Sequence, residues 1–386
     1  MIDRHFVTLL LCYLLFSGIP SFSQYYISGQ DPASINWKQI STEKCRIVYP
    51  EASERQAQYL ANVMDLLTRT EGHSLPGRVP RIPVVLHSES VISNGVTVWA
   101  PRRIELYPCP PREVYPEEWL EQLAIHEYRH AIQISNINQG FSRTLSYIFG
   151  EQITGGLLGL FIPTWFLEGD ATVTETAVTS TGRGRSPRFE SDLRSQVLEK
   201  GILPYDQAAL GSYRRYIPDS YTLGYYLVGQ ARIKYGPALW EEAMDRVGKY
   251  PFMVVPFNSG IRKKSGLWKK GLYKESLVAL DSAWKKQRVL TPVTELRPIT
   301  HRDAASHTGY YHPIPLNDTI LVAEKSSLDQ VPQFVRINRI TGEEKTILIP
   351  GTYHERSLSA GSHFLAWSAP VPDTRWGNRS YSVIRL

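Results

Sequence analysis

Two histidines four residues apart, with a glutamate directly after the first, most limit what this chain can fold into. They stand in the stretch LAIHEYRHAIQ as His126, Glu127 and His130. Side chains four residues apart project from one face of an α-helix, so both imidazoles can direct a nitrogen to a single metal ion. The motif therefore predicts a helix that carries a pair of metal ligands.

The surrounding residues also predict this helix. Pro116 followed by acidic residues is a typical helix start, and we expect the helix to cover residues 115–135. Trp119 and Leu123 continue the spacing of the histidines, which places the pair on the inward face of the helix. The alternative interpretation is two helix histidines satisfied by hydrogen bonds, with no metal.

The order of the predicted elements indicates the fold class. Residues 45–50 and 81–88 are strand-like, whereas residues 52–72 carry apolar side chains at helical spacing. Residues 95–108 alternate around a central proline, which suits an edge strand or a hairpin. Residues 141–290 are mostly helical. A strand layer followed by a run of helices predicts an α+β fold.

Two segments differ from this pattern. Residues 154–166, TGGLLGLFIPTWF, are apolar over a length that favours a buried helix or the lining of a site rather than a membrane span. After residue 290 the chain changes to short strand-like runs, and ILVAEKSS and FLAWSAPV recur about 45 residues apart, which is typical of four-stranded propeller blades. Residues 291–386 thus resemble Tol-type periplasmic β-propeller repeats. They supply too few strands for a closed ring, so we expect one or two blades with open edges.

The N-terminus predicts export. A charged start, an apolar run from Phe6 to Phe16 and a Ser-x-Ser pair are typical of a signal peptide covering residues 1–23. The apolar run is too short for a permanent membrane span, and a periplasmic or extracellular protein is expected. In an oxidising compartment Cys45 and Cys109 either pair or remain two buried thiols.

A second motif follows the histidines. Glu168 stands near the start of a predicted helix in PTWFLEGDATVTET, residues 163–176. An acid at a helix start is also favoured by the helix dipole alone. However, the aromatic pair followed by Glu-Gly-x-Ala resembles the third-ligand helix of the gluzincins, the zinc peptidases with two histidine ligands and one glutamate ligand. With the His-Glu-x-x-His motif, the resemblance covers about residues 40–290.

The resemblance implies a zincin (thermolysin-like) peptidase domain over residues 24–290. It makes His126, His130 and Glu168 the ligands of one Zn²⁺ ion, and it makes Glu127 the general base. The chemistry agrees, because zinc lowers the pKa of a bound water towards ~7, where a nearby carboxylate can complete its deprotonation.

Other residues are candidates for supporting roles. Asp170 and Glu175 either hold the imidazoles through hydrogen bonds or are surface charges. Gluzincins often place a tyrosine or histidine from a later helix against the developing oxyanion, and Tyr221 opens such a helix, although a packing role is the alternative for any one tyrosine. Arg214 and Arg215 are weaker candidates for the same role.

The predicted function is hydrolysis of peptide bonds in a peptide or protein substrate. Gluzincin aminopeptidases carry Gly-x-Met-x-Asn before the zinc helix, whereas this chain reads SNGVTVWAPRR, which favours an endopeptidase. The alternatives are an inactive zincin-fold scaffold with a protein partner at the C-terminal segment, and hydrolysis of a non-peptide bond. No nucleic acid partner is expected, because the net charge of +6 is spread out and the basic clusters at 182–185, 261–264 and 267–271 are interpreted as solvated faces.

Overall fold

The computed structural model describes residues 30–70, 81–111, 118–291, 294–300, 306–361 and 363–386. The predicted signal peptide and Pro116 lie outside these residues. The fold is mixed α+β, as the sequence predicted. Within the described ranges, no helix is long and apolar enough to cross a membrane.

A five-stranded sheet forms the N-terminal layer. In spatial order its strands are β1 (Trp37–Ser41), β2 (Cys45–Pro50), β3 (Ile82–Leu86), β5 (Arg102–Pro108) and β4 (Ser93–Trp99). Strands β2, β3 and β5 run parallel, and the two outer strands pair antiparallel with their neighbours. Helix α1 (Glu54–Thr70) connects β2 to β3 and packs on the sheet through apolar side chains at helical spacing.

The segment predicted as an edge strand or a hairpin is both. Strands β4 and β5 form an antiparallel hairpin, and Pro101 occupies its turn, where a missing N–H removes no ladder hydrogen bond. β4 is the outermost strand of the sheet on this side. The two cysteines of the sheet region are free thiols, with Cys45 buried and Cys109 partly exposed, so the unpaired alternative holds.

A helical layer follows the sheet and shares its hydrophobic core, which extends from Cys45 to Trp284. The helices are α2 (Trp119–Ile137), α3 (Gly140–Phe149), α4 (Gln152–Phe161), α5 (Thr164–Val178), α6 (Pro187–Lys200), α7 (Tyr205–Leu210), α8 (Ser220–Tyr235), α9 (Ala238–Lys249), α10 (Pro256–Ser265) and α11 (Lys269–Leu290).

The structure bears out the expectation of a buried helix or lining over residues 154–166 only in part. The segment contains two helices, because α4 ends before Ile162-Pro163, where the proline disfavours a helical conformation at the preceding residue. Moreover, α4 buries only Thr154 and Leu157, and Leu160 is exposed. α4 contributes Leu157 to the core, whereas α5 enters it with the larger side chains of Trp165 and Phe166.

The C-terminal segment forms two small antiparallel sheets. One apolar cluster lies within the first sheet, and another joins Val322 and Phe334 of the first sheet to Trp367 of the second. No closed propeller forms in the described residues, in agreement with the small number of strands. The sheet nearer the C-terminus is attached to segments that flank strands of the five-stranded sheet. The Asn378 amide donates to Asp31, which precedes β1, and the Ser380 N–H donates to the carbonyl of Glu89, which follows β3. The first sheet contains β6 (Thr308–Pro315), β7 (Ile320–Ser327), β8 (Gln333–Asn338) and β9 (Glu344–Leu348); the second contains β10 (Ser359–Ala360), β11 (Leu365–Pro372) and β12 (Ser380–Arg385).

Candidate metal centre

Three side chains that the sequence predicted as ligands lie together where α2 faces α5. Nε2 of His126 is 3.2 Å from Nε2 of His130 and 3.2 Å from Oε2 of Glu168. Nε2 of His130 is 3.5 Å from the same carboxylate oxygen. These three residues are the one such group in the described part of the chain whose donor atoms could hold a metal ion.

The helices that carry these side chains approach each other closely. His126 and His130 lie one turn apart on α2, as their spacing predicted. Glu168 is in the second turn of α5. On its other side α5 crosses α8 at Gly169 and Gly224, where a Cβ on either residue would overlap the backbone of the opposite helix. The glycines therefore let α5 lie close to both α2 and α8.

Nδ1 of His126 points to a buried acid. Oε2 of Glu175, which is fully buried, lies 3.1 Å from this nitrogen. Arg183 donates to both oxygens of the same carboxylate, at 2.6 and 2.9 Å. The guanidinium also lies 2.9 Å from Nδ1. Glu175 and Arg183 therefore both contact Nδ1 and hold the orientation of the His126 ring.

Nδ1 of His130 is held by an amide. Oε1 of Gln133 lies 2.9 Å from this nitrogen, while Nε2 of Gln133 donates to the carbonyl of Leu167 at 3.0 Å and to Asp170 at 2.9 Å. Two acceptors on one side fix the orientation of the amide, so its oxygen must face His130. The imidazole therefore donates from Nδ1 to Gln133, and its Nε2 faces the centre.

Asp170 has a different role from the one predicted. It contacts neither imidazole and reaches His130 only through Gln133. Its carboxylate also accepts from Arg129 and Arg232, and burial tends to raise its pKa while these two charges hold it down at about 2. Asp170 thus ties α5 to α2 and α8 as an ion.

The charges around the three donor atoms show what the centre requires. Two imidazole nitrogens and one carboxylate oxygen converge within 3.5 Å. Burial tends to lower the pKa of His130, but the Glu168 and Glu127 carboxylates raise it to about 9. Burial raises the pKa of Glu168, yet hydrogen bonds from both histidines hold it well below its usual range. Such a cluster of acceptors calls for a cation, either a proton or a metal ion.

Glu127 lies beside this cluster, next to the edge strand. Thr97 of β4 donates to its Oε2 at 2.9 Å and contacts its main-chain carbonyl at 2.8 Å. A Cβ on Gly95 would lie 2.8 Å from Oε1 of the same carboxylate, so the strand approaches this closely only because residue 95 is glycine. The buried carboxylate is therefore held between α2 and β4.

Tyr221 is at the start of α8, on the open side of the cluster. Its ring stacks on that of His126 at a centroid distance of 5.8 Å, and the Arg183 guanidinium lies 5.0 Å from its ring centre. Burial and the neighbouring Glu168 carboxylate raise the pKa of its hydroxyl far above its usual value. In contrast, Arg214 and Arg215 are exposed in the turn before α8, where their amides bond to Ser212.

A cavity of about 340 Å³ opens beside Tyr221. Its lining combines aromatic and charged side chains from the turn before α6, from α6 and from the start of α8. Arg183 and Tyr221 belong both to this lining and to the surroundings of His126. The cavity is therefore adjacent to the candidate metal centre.

Three residues of the site were missed from the sequence. Gln133 lies seven positions after His126 and so falls on the same helix face, a signal that the spacing offered. Arg183 belongs to the basic cluster at 182–185, which was interpreted as a solvated face. That interpretation is wrong for the Arg183 guanidinium, because it forms an ion pair with buried Glu175. For Thr97, no pattern in the chain indicated a hydrogen bond to a residue 30 positions away.

The chain was compared with known families and curated proteins. No family model and no curated protein matches it.

Proposed function

We propose that this protein is an exported zinc metallopeptidase of the gluzincin type, with a zincin fold in residues 24–290. The observation that carries the proposal is the convergence of two imidazole nitrogens and one carboxylate oxygen, with a second carboxylate, Glu127, beside them. Two histidines satisfied by local hydrogen bonds do not need two carboxylates beside them, whereas a metal centre with a general base does.

The donor set favours zinc. Two imidazole nitrogens and one carboxylate are typical of catalytic zinc sites that leave a position for substrate or water. Four ligands arranged tetrahedrally at ~2.0–2.2 Å are separated from each other by roughly 3.3–3.6 Å. The donor atoms here are separated by 3.2 to 3.5 Å, so zinc fits with little movement. Hard oxygen-binding ions such as Mg²⁺ do not prefer two imidazoles.

Glu127 is suited to proton transfer. A zinc ion bound by the three donors would supply a more acidic water and a polarised substrate carbonyl. Thr97 occupies Oε2 of Glu127, which leaves Oε1 to accept the proton of the attacking water. The same oxygen can then deliver the proton to the leaving amine. Because its carboxylate is held from two sides, Glu127 keeps its position through both transfers.

Tyr221 is positioned to stabilise negative charge. Its raised pKa keeps the hydroxyl protonated at neutral pH, so it can donate a hydrogen bond to the substrate carbonyl oxygen as charge develops there. Its ring lies against His126, close to where that oxygen would be. The hydroxyl would have to leave the neighbouring Glu168 carboxylate to do so.

An extended peptide is the substrate class that suits the cleft. The outermost strand β4 carries Gly95 and Thr97 beside Glu127, and an edge strand can pair with an extended backbone through main-chain hydrogen bonds. The absence of Gly-x-Met-x-Asn from residues 93–103 favours internal cleavage over removal of the first residue.

The test combines metal analysis with a substitution at the general base. Purified protein should contain one zinc per chain, and it should cleave members of a library of internally quenched peptides. Glu127→Gln should retain zinc and lose turnover by ~10² or more, the usual effect of removing a general base. His130→Ala should lose both. Undiminished turnover in Glu127→Gln would contradict the mechanism.

The competing function is a metal-binding scaffold without turnover. It predicts zinc in the wild-type protein and in Glu127→Gln, with no cleavage by either. The hydrogen bond from Thr97 to Glu127 speaks against it, because a scaffold has no chemical use for a carboxylate held in this way.

A further inference from the structure

An apolar surface lies uncovered on helices α3 and α4 and on the connection between α9 and α10. Phe141 of α3 contacts Phe252 of that connection at a ring distance of 6.0 Å, and α3 packs on both α4 and α9, which joins the three parts. We call it the α3–α4 surface. Its exposed large side chains are Phe141, Tyr147, Ile148, Phe149, Leu160, Tyr250, Phe252, Val254 and Val255.

The α3–α4 surface is poor in charge. Residues 140–161 and 250–255 contain two charged side chains among 28 residues, although 21% of the whole chain is charged. Glu151 is neutralised by Arg102, whose guanidinium lies 2.8 Å from it. Arg143 is exposed, and its guanidinium donates to the carbonyl of Asn138 without a change of charge. The surface therefore presents apolar side chains and one net positive charge.

The apolar side chains project from the protein rather than line a groove. Tyr147 is 83% exposed, Phe252 71% and Val254 90%. Along α4, a Cβ placed on Gly156 or Gly159 would have no heavy atom within 4 Å. Exposed apolar patches of this kind mark interaction sites, and projecting aromatic and aliphatic side chains are typical of segments that lie in a membrane interface.

We propose that the α3–α4 surface docks the protein on an anionic lipid bilayer. The side chains at the end of α3 and in residues 250–255 would enter the acyl boundary, while Arg143 would meet lipid phosphates. Charge decides between this partner and a second copy of the chain. A twofold contact between copies would place the same positive surface against itself, whereas anionic headgroups are complementary to it. The net charge of +6 acts in the same direction.

Flotation with lipid vesicles tests the proposal in the full-length chain. Wild-type protein should float with phosphatidylcholine vesicles that contain phosphatidylglycerol, and less with phosphatidylcholine alone. Phe149→Asp and Phe252→Asp should each weaken this binding by about tenfold or more, because each withdraws a large apolar side chain from the acyl region. Arg143→Gln should weaken binding to the anionic vesicles by about fivefold and leave binding to phosphatidylcholine unchanged.

Val289→Asp is the matched control. Val289 is 85% exposed near the end of α11, outside the α3–α4 surface, so its substitution should leave flotation unchanged. All variants keep the same N-terminal residues, so any contribution from those residues is common to them. No flotation of the wild type, or equal flotation of all variants, would overturn the proposal. So would a dimeric mass by light scattering that falls in Phe149→Asp without any binding to vesicles, because a second copy would then cover the surface.

Discussion

Gln133 offers a direct test of how the metal centre is held. Replacing it by methionine keeps the length and volume of the side chain but removes both halves of the amide. Nδ1 of His130 then loses its acceptor at 2.9 Å, and the Leu167 carbonyl and Asp170 each lose a donor. The imidazole is free to rotate or to change its tautomer, so Nε2 is no longer held as a bare acceptor facing the centre.

The expected losses differ between metal affinity and stability. Removing the hydrogen-bonding partner of a histidine ligand typically weakens metal binding by 10- to 100-fold, or about 1.4–2.7 kcal/mol. Asp170 keeps its bonds to Arg129 at 2.7 Å and to Arg232 at 2.5 Å, so the metal-free protein should lose only about 1 kcal/mol of unfolding free energy. The metal affinity should therefore fall by more than the stability of the metal-free protein.

Competition with a chromophoric chelator measures the zinc affinity, and urea unfolding of the metal-free protein measures the stability. Asn136→Leu is the control: Asn136 is also a buried amide on α2, but it donates to the carbonyl of Ile132 and not to the centre. It should lower stability and leave zinc affinity unchanged. If Gln133→Met binds zinc within about threefold of the wild type, the amide does not hold the ligand and our reasoning fails.

Three further predictions concern the acid limit, the general base and the C-terminal sheets. Burial alone would raise the pKa of Asp170, but Arg129 and Arg232 lower it from 3.8 to about 2. The ionised carboxylate therefore contributes about 2 kcal/mol to the free energy of unfolding above pH ~4, and this contribution is lost as the pH falls through 2. Urea unfolding of the metal-free protein from pH 5 to pH 2 should show the loss, and the Asp170→Asn variant should not show it. Thr97→Val should keep zinc but reduce turnover by about tenfold, the effect of losing one hydrogen bond to a charged group, and Thr97→Ser should restore it. A chain ending at Thr291 should bind zinc like the full chain, since the core shared by the sheet and the helices includes no later residue; a folded chain of this length without zinc would contradict the prediction.

The sequence predicted what depends on local spacing. The i, i+4 relation of His126 and His130 and the position of Glu168 near a helix start follow from helix geometry, and the structure brings all three together. The hairpin was indicated by Pro101, which strand ladders exclude from central positions. In these cases one short stretch contains all the information that determines the conformation.

The sequence did not predict what depends on a meeting of distant segments. Arg183 reaches Glu175 because a short turn folds back along α5, and nothing in the letters GRGR distinguishes this from a solvated turn. The apolar composition of α4 indicated burial, but Leu160 is exposed because no neighbouring segment in the described part of the chain covers that side of the helix. Asp170 was expected either at an imidazole or as a surface charge; it is buried, and α2 presents Gln133 to His130 instead.

The close crossing of α5 and α8 has a consequence for the search for relatives. Gly169 and Gly224 are 55 positions apart in the chain, yet they face each other where the two helices lie too close for a side chain on either residue. A homologue with any larger residue at either place would have to separate the helix of Glu168 from the helix of Tyr221. A search pattern should therefore have three parts: His-Glu-x-x-His, Glu-Gly, and a glycine three residues after an aromatic residue at a helix start, as Gly224 follows Tyr221. Such a pattern would recover chains able to build this centre. It would reject those that match the two short motifs by chance.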